Sequence, residues 1–90
     1  MIKVEVFSSP GCGKCGQAKS MLKAVAEELG ADRVQWREVN ILEEMDYAMD
    51  LGVMASPSIA IDGELVFVSL PSVGKLRSEL ERRLQQGHAA

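Results

Sequence analysis

Basic clusters, long apolar runs, histidine and cysteine are all scarce in this sequence. Its 10 lysines and arginines are outnumbered by 13 acids, for a formal net charge of -3, and no basic block interrupts that balance. An electrostatic footprint for DNA or RNA is therefore lacking, and no nucleic acid is expected as a partner. The longest uncharged stretch, Leu51 to Ile61, falls far short of the roughly 20 apolar residues of a spanning helix and contains a proline, so no membrane is expected either. MIKVEVF at the start alternates like a strand and does not build the apolar segment of a signal peptide, which makes a soluble, cytoplasmic protein the expectation. There is no glycine-rich dinucleotide fingerprint and no room for a flavin domain, so no cofactor is expected. Nor does any heptad run or aromatic patch ask for a dimer, and a monomer is expected. What is present is 90 residues, 47% hydrophobic and 26% charged, the makings of one small domain. A domain of this size buries only about two-thirds of its unfolded surface, so its core is thin and function must lie at a surface or an edge.

Strand formers in residues 2–7 stop at Ser8-Ser9-Pro10-Gly11, a run that cannot continue a strand. From Cys12 to Leu29, Ala18, Met21, Leu22, Val25, Ala26 and Leu29 follow helical spacing, with Gly30 placed to cap the end. Val34 to Val39 reads as a second strand. Asn40, with Glu43 three positions on, is placed to cap a short helix whose apolar face is Leu42, Met45 and Met49 and which ends near Leu51-Gly52. Ser58 to Ile61 and Leu65 to Ser69, joined by Asp62-Gly63, predict a hairpin. Pro71-Ser72 opens a last helix with Val73, Leu76, Leu80 and Leu84 inward and Glu79, Glu81, Arg82 and Arg83 left for solvent. The order β-α-β-α-β-β-α predicts an α/β fold: a mixed four-stranded sheet, parallel first and antiparallel after, with helices on both faces. Residues 1–85 form that domain, and 86–90 are expected to be a flexible tail.

Both cysteines sit three apart, in Ser9-Pro10-Gly11-Cys12-Gly13-Lys14-Cys15-Gly16, after a strand and at a helix start. Residues three apart on a helical turn have Cα atoms roughly 5 to 6 Å apart, within the span of a disulfide, so the thiols join and separate with little backbone movement. Cys12 faces the unpaired N–H groups and positive dipole end of the helix, which favour a thiolate, and Cys15 lies deeper. Cys12 is thus the candidate nucleophile and Cys15 the candidate resolving thiol. Other readings of the pair stay open. A structural staple closing so short a ring restricts the unfolded chain by only about 2 kcal/mol. A zinc or soft-metal site lacks two ligands, and the lone histidine, His88, lies in the tail. Buried, inert thiols fit poorly with the uncluttered setting that Gly11, Gly13 and Gly16 provide.

The strand followed by Pro10-Gly11-Cys12-Gly13-Lys14-Cys15, with Ala55-Ser56-Pro57-Ser58 ahead of a hairpin, resembles the thioredoxin and glutaredoxin superfamily, above all its short, glutaredoxin-sized thioredoxin-like members from bacteria and archaea. The resemblance covers essentially residues 1–85 and implies a thioredoxin-like fold. It further implies that Ser56-Pro57 is a cis-proline bond facing the cysteines and that the backbone of Ser56 pairs with an extended substrate segment. Met54 and Ala55 then line an apolar rim, although Met54 in the core is an equal alternative. Gly11 and Lys14, flanking the thiols, complete the candidate substrate-binding set with Ser56 and Pro57.

Thioredoxin carries a tryptophan before its first cysteine and Gly-Pro between the two, where this chain has Gly11 and Gly13-Lys14. Thioredoxin's buried aspartate falls at Val6, and neighbouring Glu5, on the other strand face, is expected as a half-exposed partner of a lysine or arginine. Glutaredoxins grip glutathione with a glycine-glycine-aspartate patch that Ser69 to Lys75 lacks, which counts against direct glutathione binding. Lys14 either stabilises the Cys12 thiolate or is simply solvated. Cation and dipole together amount to about 1 kcal/mol, some 20 mV for a two-electron couple, too little to separate a reductant from an oxidant. The resemblance implies a thiol-disulfide oxidoreductase that reduces protein disulfides and is reset by a reductase or a low-molecular-weight thiol. The rival is a soft-metal carrier using the same thiolates, but such carriers have the order β-α-β-β-α-β, without a closing helix.

Overall fold

The computed structural model describes residues 2–85; the tail at 86–90, with His88, lies outside the described residues. Strand β1 (Ile2–Ser8) is the axis of the sheet. One edge pairs in parallel with β2 (Val34–Asn40), from Ile2 opposite Val34 to Ser8 opposite Asn40. A parallel pair needs a crossover, and α1 (Cys15–Leu29) provides it. The other edge of β1 pairs antiparallel with β3 (Ser58–Ile61), from Phe7 opposite Ser58 to Val4 opposite Ile61. β4 (Glu64–Phe67) returns beside β3, and the strand order is β2-β1-β3-β4. This is the mixed sheet that the alternation of elements predicts. β4 is displaced, starting at Glu64 and releasing Val68 and Ser69, with a register shift at Ile59/Ala60.

The period of two along β1 divides the core between the faces of the sheet. Val4 and Val6 meet Ile59, Ile61, Leu22 and Val25 on one face, together with Leu76 and Leu80 of α3 (Val73–Gln85). Phe7 joins Val39, Ala60 and Val53 on the other, under Ala48 of α2 (Met45–Leu51). Full burial of such a side chain is worth about 1.5–3 kcal/mol, so the larger cluster under α1 and α3 dominates stability.

Turn chemistry fixes the junctions. Gly30 caps α1 at φ 113° with its N–H on the carbonyl of Ala26, and Gly52 ends α2 in the left-handed region. Asp62 and Gly63 both take positive φ, 52° and 82°, as a two-residue hairpin of the matching twist requires. Asp62 also accepts the Lys3 N–H (2.9 Å) and donates its own N–H to the Lys3 carbonyl (2.8 Å), which fastens the hairpin tip to β1. Ser72 accepts the Lys75 N–H (3.2 Å) at the start of α3.

Further expectations are corrected, and Val73, expected inward on α3, is exposed. α1 begins at Cys15, not Cys12: Lys14 is the N-cap, its carbonyl accepting the Ala18 N–H (3.0 Å), while Cys12 donates its N–H back to the Ser9 carbonyl (3.2 Å) in the preceding turn. Asn40 accepts the N–H of Leu42 (2.8 Å) and so organises a turn, while α2 starts only at Met45. Its inward side is Glu44, Tyr47, Ala48 and Leu51, spaced i, i+3, i+4, i+7, whereas Leu42, Met45 and Met49 are 59%, 49% and 68% exposed. Phe7 already fills the sheet face, and the small Ala48 allows close approach where a methionine would clash. Finally, Glu79 and Arg83 are half-buried, because Arg83 spans Glu79 (2.6 Å) and Glu64 (2.8 Å) and so ties α3 to β4.

Two predictions follow from this packing. Ala48→Leu overfills the α2 contact and lowers stability by about 1–3 kcal/mol in denaturant unfolding, while Met49→Gln changes it by less than about 0.5 kcal/mol. Arg83 above all, then Arg82, holds the Glu79 carboxyl below its usual range against the opposing effect of burial. That stabilisation is complete above the unfolded value near 4.5 and is lost as pH falls through the lower folded value, so Glu79→Gln flattens the acid limb of the stability profile.

Candidate active site

β1, β2 and β3 bring their ends together at one edge of the molecule, where Ser8 lies opposite Asn40 and Phe7 opposite Ser58. From Ser8 the chain turns through Ser9-Pro10-Gly11, with Gly11 exposed in a conformation that a side chain would strain. Cys12 and Cys15 are joined as a disulfide with Cα atoms 5.5 Å apart, within the interval their spacing predicts. Cys15 is the first residue of α1 and is 7% exposed; Cys12, in the preceding turn, is only half-buried. Although Cys12 precedes the helix, its sulfur is bonded to that of the first helical residue. It therefore still lies at the N-terminal end of α1, where the N–H groups of the first turn are open. Gly13 and Lys14 are exposed, and a Cβ at Gly13 or Gly16 would meet no atom within 4 Å. Lys14 occupies the N-cap position with no capping bond from its side chain.

The second wall is the loop from Val53 to Ser58. The Ser56–Pro57 peptide bond is cis. Pro57 and Ser58 are buried, and Ser58 donates its hydroxyl to the Ala55 carbonyl (2.6 Å). Ser56 is half-buried, Ala55 exposed, and Met54, 96% exposed, stands clear of the core. One contact links the walls: the hydroxyls of Ser9 and Ser56 lie 2.7 Å apart. No pattern in the sequence announces it, since the two serines are 47 positions apart. Beneath, Ser8 donates to Glu38 (3.0 Å), which also takes Lys19 (3.3 Å); the Ser8 hydroxyl first, and then Lys19, hold that carboxyl below its usual range.

Glu5 has the basic partner expected of it, Arg37 at 2.7 Å, but is 9% exposed rather than half-exposed. Its other oxygen accepts the hydroxyl of Tyr47, which the sequence did not single out. The hydrogen bond to Glu5 raises both the Tyr47 phenol and the Arg37 guanidinium above their ordinary values. This cluster anchors α2 on the sheet face opposite Val6. A concavity of about 860 Å³ borders it, lined by Lys3, Gln35 and Asp62 among others, but none of the cysteine or proline loop lines it. Among the described residues, no third histidine, cysteine or carboxylate gathers with the thiols as a metal shell would require.

A flat thiol pair beside an open loop end suits exchange with another disulfide, which needs access and alignment and not an enclosing pocket. The Ser9 hydroxyl aligns the two walls. Ser9→Ala is therefore expected to lower kcat/KM for a peptide disulfide roughly two- to tenfold, the worth of one hydrogen bond, mainly through KM. Ser9→Thr should restore it, and Ser9→Ala/Ser56→Ala should be no worse than Ser9→Ala, as steady-state kinetics would show.

The sequence profile of the family described as Thioredoxin domain matches residues 2–81. A thioredoxin from Methanocaldococcus jannaschii is 36% identical over 83 residues, 92% of this chain and 96% of that one. A probable thioredoxin from Methanothermobacter marburgensis is 37% identical over 71 residues, 79% of this chain and 82% of its own. In solved structures, a thioredoxin of Halobacterium salinarum superposes with a TM-score of 0.76 at 24% identity, covering 90% of this chain and 73% of that one. Thioredoxin 1 of Thermosipho africanus gives 0.77 at 18%, covering 96% and 98%, and both likenesses show the fold. With its element order ending in α3, its paired thiols and this kinship, the chain belongs to the thioredoxin family of thiol-disulfide oxidoreductases.

Proposed function

We propose that the protein reduces disulfides of other proteins, with Cys12 as nucleophile and Cys15 as resolving thiol. The observation that carries this reading is the unequal exposure of the two sulfur-bearing residues: Cys12 is half-open beside exposed Gly11 and Lys14, while Cys15 is 7% exposed. In the reduced protein, the Cys12 thiolate attacks one sulfur of the substrate disulfide, forms a mixed disulfide and expels the other sulfur as a thiolate. The Cys15 thiolate then attacks the Cys12 sulfur, and the second substrate sulfur leaves. Two electrons have passed to the substrate, whose thiolates take protons from solvent, and the protein is left with the Cys12–Cys15 bond. A thioredoxin reductase-like enzyme or a low-molecular-weight thiol returns the two electrons.

Substrate is aligned by backbone pairing at Ser56, beside Pro57, with exposed Met54 and Ala55 as an apolar rim and Gly11 and Lys14 on the far side of the thiols. Such a reductant fits a reducing compartment, and no helix among the described residues is long and apolar enough to cross a membrane.

In an insulin-type assay coupled to an external reductant, Cys12→Ser should abolish turnover. Cys15→Ser should instead accumulate a mixed disulfide with substrate, visible as a covalent adduct by mass spectrometry and released by dithiothreitol. Normal multiple-turnover reduction by Cys15→Ser would refute the two-cysteine scheme.

A further inference from the structure

The outward side of α2 and the turn that leads into it, which the thiol chemistry leaves unused, carry two adjacent stripes. Leu42, Met45 and Met49 form an apolar one, and Glu43, Asp46 and Asp50, each one residue further on, form an acidic one with the same i, i+3, i+7 spacing. All six are exposed, and none of the three acids makes an ion pair among the described residues. Glu44, on the inward side, shares Arg37 (3.3 Å) with Glu5.

The imbalance reaches beyond the helix. No lysine or arginine occurs between Arg37 and Lys75, a stretch containing Glu38, Glu43, Glu44, Asp46, Asp50, Asp62 and Glu64. Six of the ten cations lie elsewhere, Lys19 and Lys23 on α1 and Lys75, Arg77, Arg82 and Arg83 on α3, both on the opposite face of the sheet. On that face the six cations are matched by Glu27, Glu28, Glu38, Glu64, Glu79 and Glu81, whereas Glu43, Asp46 and Asp50 have no ion-pair partner among the described residues, so the acidic excess lies beside the exposed Leu42, Met45 and Met49.

Position links these stripes to the thiols. Ile41 donates its N–H to the Ser8 carbonyl (2.8 Å), so the stripes start at the edge from which the Cys12 loop departs. The chain returns from α2 through Met54 to Ser56 and Pro57 at the same edge. Unbranched methionines adapt to differently shaped apolar surfaces, and unpaired acids beside them favour approach by cations.

We propose that the outward side of α2 is a docking surface for a disulfide-bearing protein whose contact surface is apolar and flanked by lysine or arginine. The inference rests on the reductase reading above and specifies its substrate class. Apolar contact along Leu42, Met45 and Met49 holds the partner, while Glu43, Asp46 and Asp50 select its charge and speed its encounter with Cys12.

The test uses the whole chain and three substrates: a disulfide peptide extended by leucine and lysine, the same peptide extended by leucine and glutamate, and the small neutral 2-hydroxyethyl disulfide. At low salt, kcat/KM for the basic peptide should exceed that for the acidic one by about tenfold, and the two should converge above roughly 0.5 M salt. Glu43→Lys/Asp46→Lys/Asp50→Lys should reverse the order, and Met45→Gln/Met49→Gln should lower both peptides about equally. Turnover of 2-hydroxyethyl disulfide should stay the same in every variant. If the triple reversal does not fold, Asp46→Asn/Asp50→Asn serves, with a preference cut at least twofold.

Equal rates for the two peptides, or a preference that these substitutions leave intact, would overturn the docking surface. So would a dimer of the unaltered protein that the triple reversal dissolves, since the face would then belong to a second copy. Failure of the unaltered protein to reduce 2-hydroxyethyl disulfide would overturn the reductase reading instead.

Discussion

β1 is hydrogen-bonded along both edges and covered on both faces, and this double confinement sets most of what surrounds it. A strand with no free side must alternate without error: Val4 and Val6 serve the core under α1 and α3, while Phe7 serves the core under α2. A slip of one residue would exchange the two sets and drive Glu5 into the larger apolar cluster. Because β1 cannot move, the loop that leaves it cannot drift either, and Cys12 inherits its position from the most constrained segment of the chain.

That confinement also explains how a polar cluster survives inside a small domain. An isolated buried carboxylate would be costly, yet Glu5 has both oxygens engaged, by Arg37 from the neighbouring strand and Tyr47 from the helix above. The cluster does for α2 what apolar packing does for α1 and α3: it fixes a seven-residue helix whose apolar contact is small. The loop carrying Ser56 and Pro57 follows directly from that helix, so its placement depends on Glu5 as well as on the Ser9 hydroxyl.

Much of this could be read from the sequence, and what could be read was local. Gly30, Gly52 and Asp62-Gly63 name their turns because few other residues tolerate those backbone angles. Leu76 and Leu80 declare the inward face of α3 because a thirteen-residue helix shows more than three turns of pattern. α2 offers fewer than two turns, and two stripes fit its spacing equally well. The larger side chains suggested the wrong one, since the deciding fact was the space left by Phe7. The start of α1 was misplaced for a related reason: helical spacing extends formally to Cys12, but Cys12 turns its N–H back to Ser9 and the first helical bond is accepted by Lys14. The thiol pair and the proline were legible because their chemistry lies in spacing and residue type. The Ser9–Ser56 contact and the Tyr47 hydroxyl on Glu5 were not, because they join residues that only the folded chain brings together.

The open surroundings of Gly13 have a consequence for the history of such a protein. A side chain added there would touch nothing, and Lys14 beside it already points into solvent. The side chains at the two positions between the thiols are therefore outside the core: beyond the N-cap preference at Lys14, their exchange costs little in folding, while every exchange alters the surroundings of the reacting sulfur. At Gly13, where an added side chain meets no atom, a change in reactivity is therefore open without a change in packing.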